Sequence, residues 1–118
     1  MRILVTGSRD WDDAKQVSDA LLDATKDICE PITLVSGACP TGADKFAEDY
    51  AKLWGWTIER YPADWNTYGR SAGPIRNKVM VESNPDICLA FIKNNSKGAS
   101  GTANLARSKG INTVKFDS

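Results

Sequence analysis

The chain contains no histidine. That one absence excludes Ser-His-Asp and Cys-His nucleophiles, histidine general bases and histidine-ligated zinc. Cysteine is scarce: Cys29, Cys39 and Cys88 are odd in number and lack CxxC or ligand-like spacing. They predict reduced thiols, a cytoplasmic setting and no metal centre. Neither sign of charge is in excess, since fifteen basic residues cancel fifteen acidic ones. No global field therefore recruits nucleic acid or an anionic membrane, and a nucleic-acid partner is disfavoured. Apolar runs are all far shorter than the roughly 20 residues of a membrane span. The segment Met1–Gly7 is too short and too early for a signal peptide and reads directly as a first strand. Chemistry must come from carboxylates, Arg, Lys, Ser, Thr, Tyr or backbone amides, and no resident cofactor is expected.

What is present is an ordinary globular composition, 42% hydrophobic and 25% charged over 118 residues. This predicts one domain, residues 1–118, with a single core. Strand and helix patterns alternate throughout. Arg2–Thr6 reads as a short apolar strand. Asp12 or Asp13 caps a helix with Val17, Ala20, Leu21, Ala24 and Ile28 on one face. After Pro31, Ile32–Ser36 is a second strand. Gly42 opens a helix with Ala43, Phe46, Ala47, Tyr50, Ala51 and Trp54 on its apolar side, and Gly55 stops it. Trp56–Tyr61 alternates in character, as an edge strand does, and Pro62–Ala72 reads as a long loop. A helix over Pro74–Ser83 ends at Asn84-Pro85. The unbroken apolar run Ile87–Ile92 predicts a central strand buried on both faces. A loop over Lys93–Ala99, a helix over Gly101–Lys109 and a last strand over Ile111–Phe116 complete the pattern. No repeat, linker or low-complexity stretch interrupts it. Strands regularly separated by helices predict an α/β, Rossmann-like doubly wound sheet of about five parallel strands with helices on both faces, strands one and four meeting at the switch point.

Ligands of such sheets bind beyond the carboxyl ends of the strands, at the switch in strand order. Every unusual loop falls there. Strand one leads into Gly7-Ser8-Arg9-Asp10-Trp11, and strand two into Ser36-Gly37-Ala38-Cys39-Pro40-Thr41-Gly42-Ala43-Asp44. Strand three leads into Asp64-Trp65 through Gly73, and strand four into Gly98-Ala99-Ser100-Gly101-Thr102. Glycines let amides approach phosphate oxygens, and a following helix adds its dipole. Gly73 suits an N-cap and Pro74 the first helical position, which places Arg76 and Asn77 on a first turn facing an anion. Each loop alone fits a plain tight turn; four on one rim, two with arginine, point to a nucleotide-like small molecule. None is a Walker or G-x-G-x-x-G motif.

At these loops the chain resembles the YspA/YpsA-related branch of the SLOG superfamily. The residues that carry the likeness are Gly7-Ser8-Arg9 with Trp11, Ser36-Gly37-Ala38 with Thr41-Gly42-Ala43-Asp44, Asp64-Trp65, Ala72-Gly73-Pro74-Ile75-Arg76-Asn77 with Met80, and Ala90-Phe91 with Gly101-Thr102. The resemblance spans essentially the whole chain. It implies a Rossmann-like fold that binds nucleotides or their derivatives, ADP-ribose-like ligands included, and because relatives often dimerise it sets a homodimer as an expectation. Related branches include the LOG phosphoribohydrolases and the DNA-processing DprA proteins. LOG enzymes carry Gly-Gly-x-Gly-Thr-x-x-Glu with a catalytic glutamate; here Leu105 stands in that place, although Arg76 and Met80 match the arginine element. Cleavage of an N-glycosidic bond needs a carboxylate to stabilise a cationic sugar or activate water, and leucine does neither.

Three carboxylates stand as substitutes. Asp44, in the first turn of helix two, also reads as a helix-dipole partner. Asp64 beside Trp65 reads either as a ribose-binding acid next to a base-stacking aromatic or as a turn former. Asp10 is most simply a helix-entry residue. Tyr68 and Arg70 either close over a ligand or are merely exposed. Trp11 and Trp65 fall at the expected site, whereas Trp54 and Trp56 flank a helix stop and are expected to pack. The leading expectation is a nucleotide-binding sensor or sequestering protein. The alternatives are a phosphoribohydrolase-like hydrolase using Asp64 or Asp44 and, less favoured, a single-stranded-DNA-binding module.

Overall fold

A computed structural model of the chain describes residues 1–117. The five apolar stretches form one parallel sheet of β1 (Arg2–Gly7), β2 (Thr33–Ser36), β3 (Thr57–Arg60), β4 (Ile87–Ile92) and β5 (Asn112–Asp117), in the order β3-β2-β1-β4-β5. Val5 lies opposite Ser36 on one side and Leu89 on the other, so β1 and β4 meet where the strand order reverses. All six residues of β4 are buried, while no residue of β3 is, as the alternation in that segment predicts for an edge. The middle of the sheet nevertheless belongs to β1, with β4 beside it, because β5 adds only one strand outside β4.

Period-two patterning sorts the core into two layers. Ile3, Val5, Leu34, Leu89 and Phe91 face α1 (Ala14–Thr25) and α2 (Gly42–Leu53), whose Val17, Leu21, Ala47 and Ala51 fill the layer. Leu4, Val35 and Cys88 face the other way, onto Met80 and Val81 of α4 (Ala72–Glu82) and Ala106 of α5 (Lys97–Ser108). Asp13 caps α1 by accepting from the Gln16 amide at 3.0 Å. Arg2 of β1 reaches across to the Glu59 carboxylate of β3 and donates to Ser83 Oγ at 3.0 Å, while the Tyr61 hydroxyl donates to Glu59 Oε1 at 2.5 Å. These donors, Arg2 first, hold the Glu59 carboxyl down to about 2. No helix among the described residues is long and apolar enough to cross a membrane.

Several boundaries differ from the sequence reading, each for a local reason. The segment expected as a loop folds into α3 (Trp65–Tyr68) and a 3-10 turn, Gly69–Ser71, because Asp64 Oδ1 accepts from the Thr67 amide at 3.2 Å. α4 then starts at Ala72, so Gly73 and Pro74 are its second and third residues rather than cap and first position. Proline costs nothing there, since the first three amides of a helix have no intrahelical acceptor. Arg76 consequently lies in the second turn. α5 starts at Lys97 instead of Gly101: Asn94 and Asn95, at φ 54° and 53°, make the turn early, and the Ser100 amide bonds Ser96 O at 3.1 Å. Ile28 lies beyond the end of α1 at Thr25.

Candidate functional site

The carboxyl ends of the central strands open onto a cleft of about 470 Å³. Gly7, Ser8 and Arg9 enter it from the β1–α1 connection, Asp44 from the first turn of α2, and Trp65 from α3. Gly73, Arg76 and Asn77 of α4 form one wall, and Ser96, Gly98 and Ala99 at the start of α5 form the wall beyond β4. Ser8 is pinned by its neighbours: its amide donates to Phe91 O at 2.9 Å, and its hydroxyl oxygen accepts from the Lys93 amide at 2.8 Å. Gly42, at φ +74°, lets α2 begin hard against this connection. A Cβ there would stand 2.2 Å from Ser8 O.

The electrostatic centre of the cleft is Arg76 with Asp44. Half-buried Arg76 donates through Nη1 to Gly37 O at 2.5 Å and through Nε to Asn77 Oδ1 at 2.7 Å. Its Nη2 has no hydrogen-bond partner among the described residues. Burial lowers the Arg76 pKa, and the nearby Asp44 carboxylate opposes that shift. Asp44 is 7% exposed, and burial pushes its carboxyl up to about 6. The Cys39 amide, which donates to Asp44 Oδ2 at 3.3 Å, pulls the other way, as do Arg76 and Arg9, while Glu48 adds to the rise. Asp44 and Arg76 flank Gly37: a Cβ on that residue would lie 2.8 Å from Arg76 Nη1 and 3.0 Å from Asp44 Oδ2. A buried acid near 6 beside a half-desolvated guanidinium is an arrangement found where charge is put to use.

Backbone donors are distributed differently from the sequence expectation. In the connection after β2, the Ala38 amide donates to Ser36 Oγ at 3.1 Å, and Ser36 Oγ donates to Glu48 Oε2 at 2.6 Å. With the Cys39 amide on Asp44, the amides after Gly37 already have internal acceptors. The start of α5 is different. Ser96 makes no side-chain cap, and the amides of Lys97, Gly98 and Ala99 precede the first intrahelical bond. Their N–H groups and the helix dipole together favour an anion.

A family model described as YspA, cpYpsA-related SLOG family matches residues 1–68. The Gene 61 protein of Mycobacterium phage D29 is 37% identical over 124 residues, covering 98% of this chain and 95% of that protein. The chain belongs to the YspA, cpYpsA-related SLOG family. No solved structure matches it. The SLOG family match runs from β1 through α3, so Arg76 and α5 lie outside the matched segment, whereas the likeness to the phage protein extends over them.

Within this SLOG chain, Gly7, Ser8, Arg9, Asp44, Trp65, Gly73, Arg76 and Asn77 come together around one cleft. Other candidates from the sequence lie elsewhere. Trp11 is 3% exposed and packs edge-on against Phe91 at 5.4 Å, in the core rather than at the site. Ser36 is buried beneath its loop, and Gly37 and Ala38 line an adjoining hollow of about 300 Å³ with Arg9 and Trp65. Asp64 is exposed, caps α3 and borders a separate groove with Tyr68 and Ile75. Gly101 and Thr102 sit in the second turn of α5, where Thr102 Oγ1 donates to Gly98 O at 3.0 Å. Leu105 is half-buried against the Leu4–Met80 layer. Trp56 packs on the core as expected, but Trp54 is 60% exposed. Ser96 and Glu48 lie outside the residues that the sequence marks for the site, while Cys39 enters only as part of the loop after β2. Glu48 had a signal, an acid four residues after Asp44 and so on the same side of α2. Ser96 had none.

Proposed function

We propose that this protein binds a phosphate-bearing nucleotide or nucleotide derivative in the cleft and acts as a sensor or sequestering protein. The observation that carries this reading is Arg76: a guanidinium held in place by Gly37 O and Asn77, its Nη2 without a partner among the described residues, in the same cleft as the uncapped start of α5. A phosphate oxygen between them would gain a charge-assisted bond and free amides together. Membership of a SLOG family supports a nucleotide-related ligand. A thermal-shift panel of nucleoside mono- and diphosphates, nucleotide sugars and ADP-ribose tests the reading. A ligand at about a hundred times its dissociation constant should stabilise the fold by roughly 2.7 kcal/mol. A panel in which no phosphate-bearing compound shifts the melting temperature would refute it.

One observation favours a second reading, a hydrolase of phosphoribohydrolase type. Asp44 is buried, lines the cleft and has its carboxyl pushed up to about 6, the condition of a group able to exchange a proton near neutrality. Of the three carboxylates weighed from the sequence, Asp44 and Asp10 line the cleft while Asp64 caps α3 outside it, and the burial of Asp44, against the exposure of Asp10, supports it as the acid. Release of free base from nucleoside monophosphates, abolished in a folded Asp44→Asn variant, would establish turnover.

A further inference from the structure

Trp65 is 48% exposed and stands between the cleft and the adjoining hollow, bordering both. Gly73 lies against its far edge: a Cβ there would be 3.3 Å from Trp65 Cη2, so the missing side chain gives the indole its seat. The guanidinium of Arg9 lies over the ring, with Cζ 5.5 Å from the centroid. Arg9 makes no salt bridge among the described residues, and only its carbonyl is tied, by Thr41 Oγ1 at 3.0 Å. Its charge already bears on both Asp44 and Arg76. An aromatic face is thus occupied by an exposed cation that has somewhere else to go.

We infer that Trp65 is the base-recognising residue of the cleft, and that a nucleotide's base takes the place of Arg9 on the indole while Arg9 turns to the ligand's phosphate. This rests on the nucleotide-binding reading and adds its polarity, with phosphate toward Arg76 and α5 and base toward α3. Base-on-aromatic stacking strengthens binding roughly 5- to 150-fold. Losing an exposed cation–π contact offsets only part of that.

Calorimetric titration with AMP and with ribose 5-phosphate, which lacks the base, tests the inference. The wild type should bind AMP roughly tenfold or more tightly than ribose 5-phosphate. Trp65→Ala should abolish that preference without weakening ribose 5-phosphate, since Arg9 is then free to turn to the phosphate. Trp65→Leu, which fills the volume without a π-face, should behave as the alanine variant does, and Trp65→Phe should restore most of the preference. Equal weakening of both ligands, or an AMP preference that survives in Trp65→Leu, overturns the assignment of Trp65 while leaving the phosphate site standing. A wild type that binds neither compound overturns the assignment, and when the thermal-shift panel is also silent the nucleotide-binding reading falls with it.

Discussion

Asp44 spends stability in the unliganded protein. Its carboxyl titrates near 3.8 when solvated and near 6 in the fold, so between those values the native state holds the extra proton. Its contribution is complete below about pH 4 and is lost as pH rises to 6; at pH 7 the buried charge costs up to about 3 kcal/mol. Asp44→Asn should therefore raise stability at pH 7 by about 1–3 kcal/mol and remove the fall between pH 4 and 6, read from urea denaturation at a series of pH values. Glu59 works in the opposite sense. Arg2 and Tyr61 depress its carboxyl to about 2, so its contribution is complete above about 4.5 and disappears as pH falls toward 2. Glu59→Gln should flatten that acid limb and leave the slope between about pH 5 and 6 alone. A protein whose Asp44→Asn variant is less stable at pH 7 would show that the Arg76 and Cys39 contacts outweigh burial.

At the scale of elements, the sheet was legible because its pattern is strong. Six consecutive apolar residues in β4 and the alternation around β3 placed an interior strand and an edge correctly. The helix starts were not legible. Nothing in Gly73-Pro74 says that the helix begins two residues earlier, because proline is equally content at first and third positions, where no acceptor is lost. α5 begins before Gly101 because two asparagines adopt a left-handed turn that most residues resist, and that early start moves Gly101 and Thr102 away from the free amides. The lining of the candidate site was half legible for the same reason. Arg9, Asp44 and Arg76 carry chemistry in their residue types, whereas the donors of Lys97, Gly98 and Ala99 are backbone groups that any sequence possesses. Leu105 illustrates the limit of motif reasoning, for it fills a core layer shared with Met80 and Val81. Leu105→Glu should destabilise the fold by about 1–3 kcal/mol by forcing a carboxylate into that layer, and should produce no base release from AMP by chromatography. Turnover in that variant would mean that α5 can bring position 105 to the cleft.

For the molecule as a whole, a doubly wound sheet gathers segments distant in sequence at one rim, and its layers hold them still. Ser8 is bonded to Lys93 across 85 positions, and Arg76 to Gly37 across 39. The stabilisation expected from a saturating ligand, roughly 2.7 kcal/mol, corresponds to a rise of roughly 10 °C in melting temperature for a chain of this size. On the proposed reading, Arg76 is where that linkage concentrates. The most direct measurement is a calorimetric titration of AMP into the wild type and into Arg76→Ala, with circular dichroism confirming that the variant is folded. The predicted result is binding by the wild type and a weakening of roughly 10- to 150-fold in the variant, or about 1.5–3 kcal/mol for a lost charge-assisted hydrogen bond. Unchanged affinity in the folded variant would contradict it and leave Arg76 as a structural tie between α4 and the connection after β2.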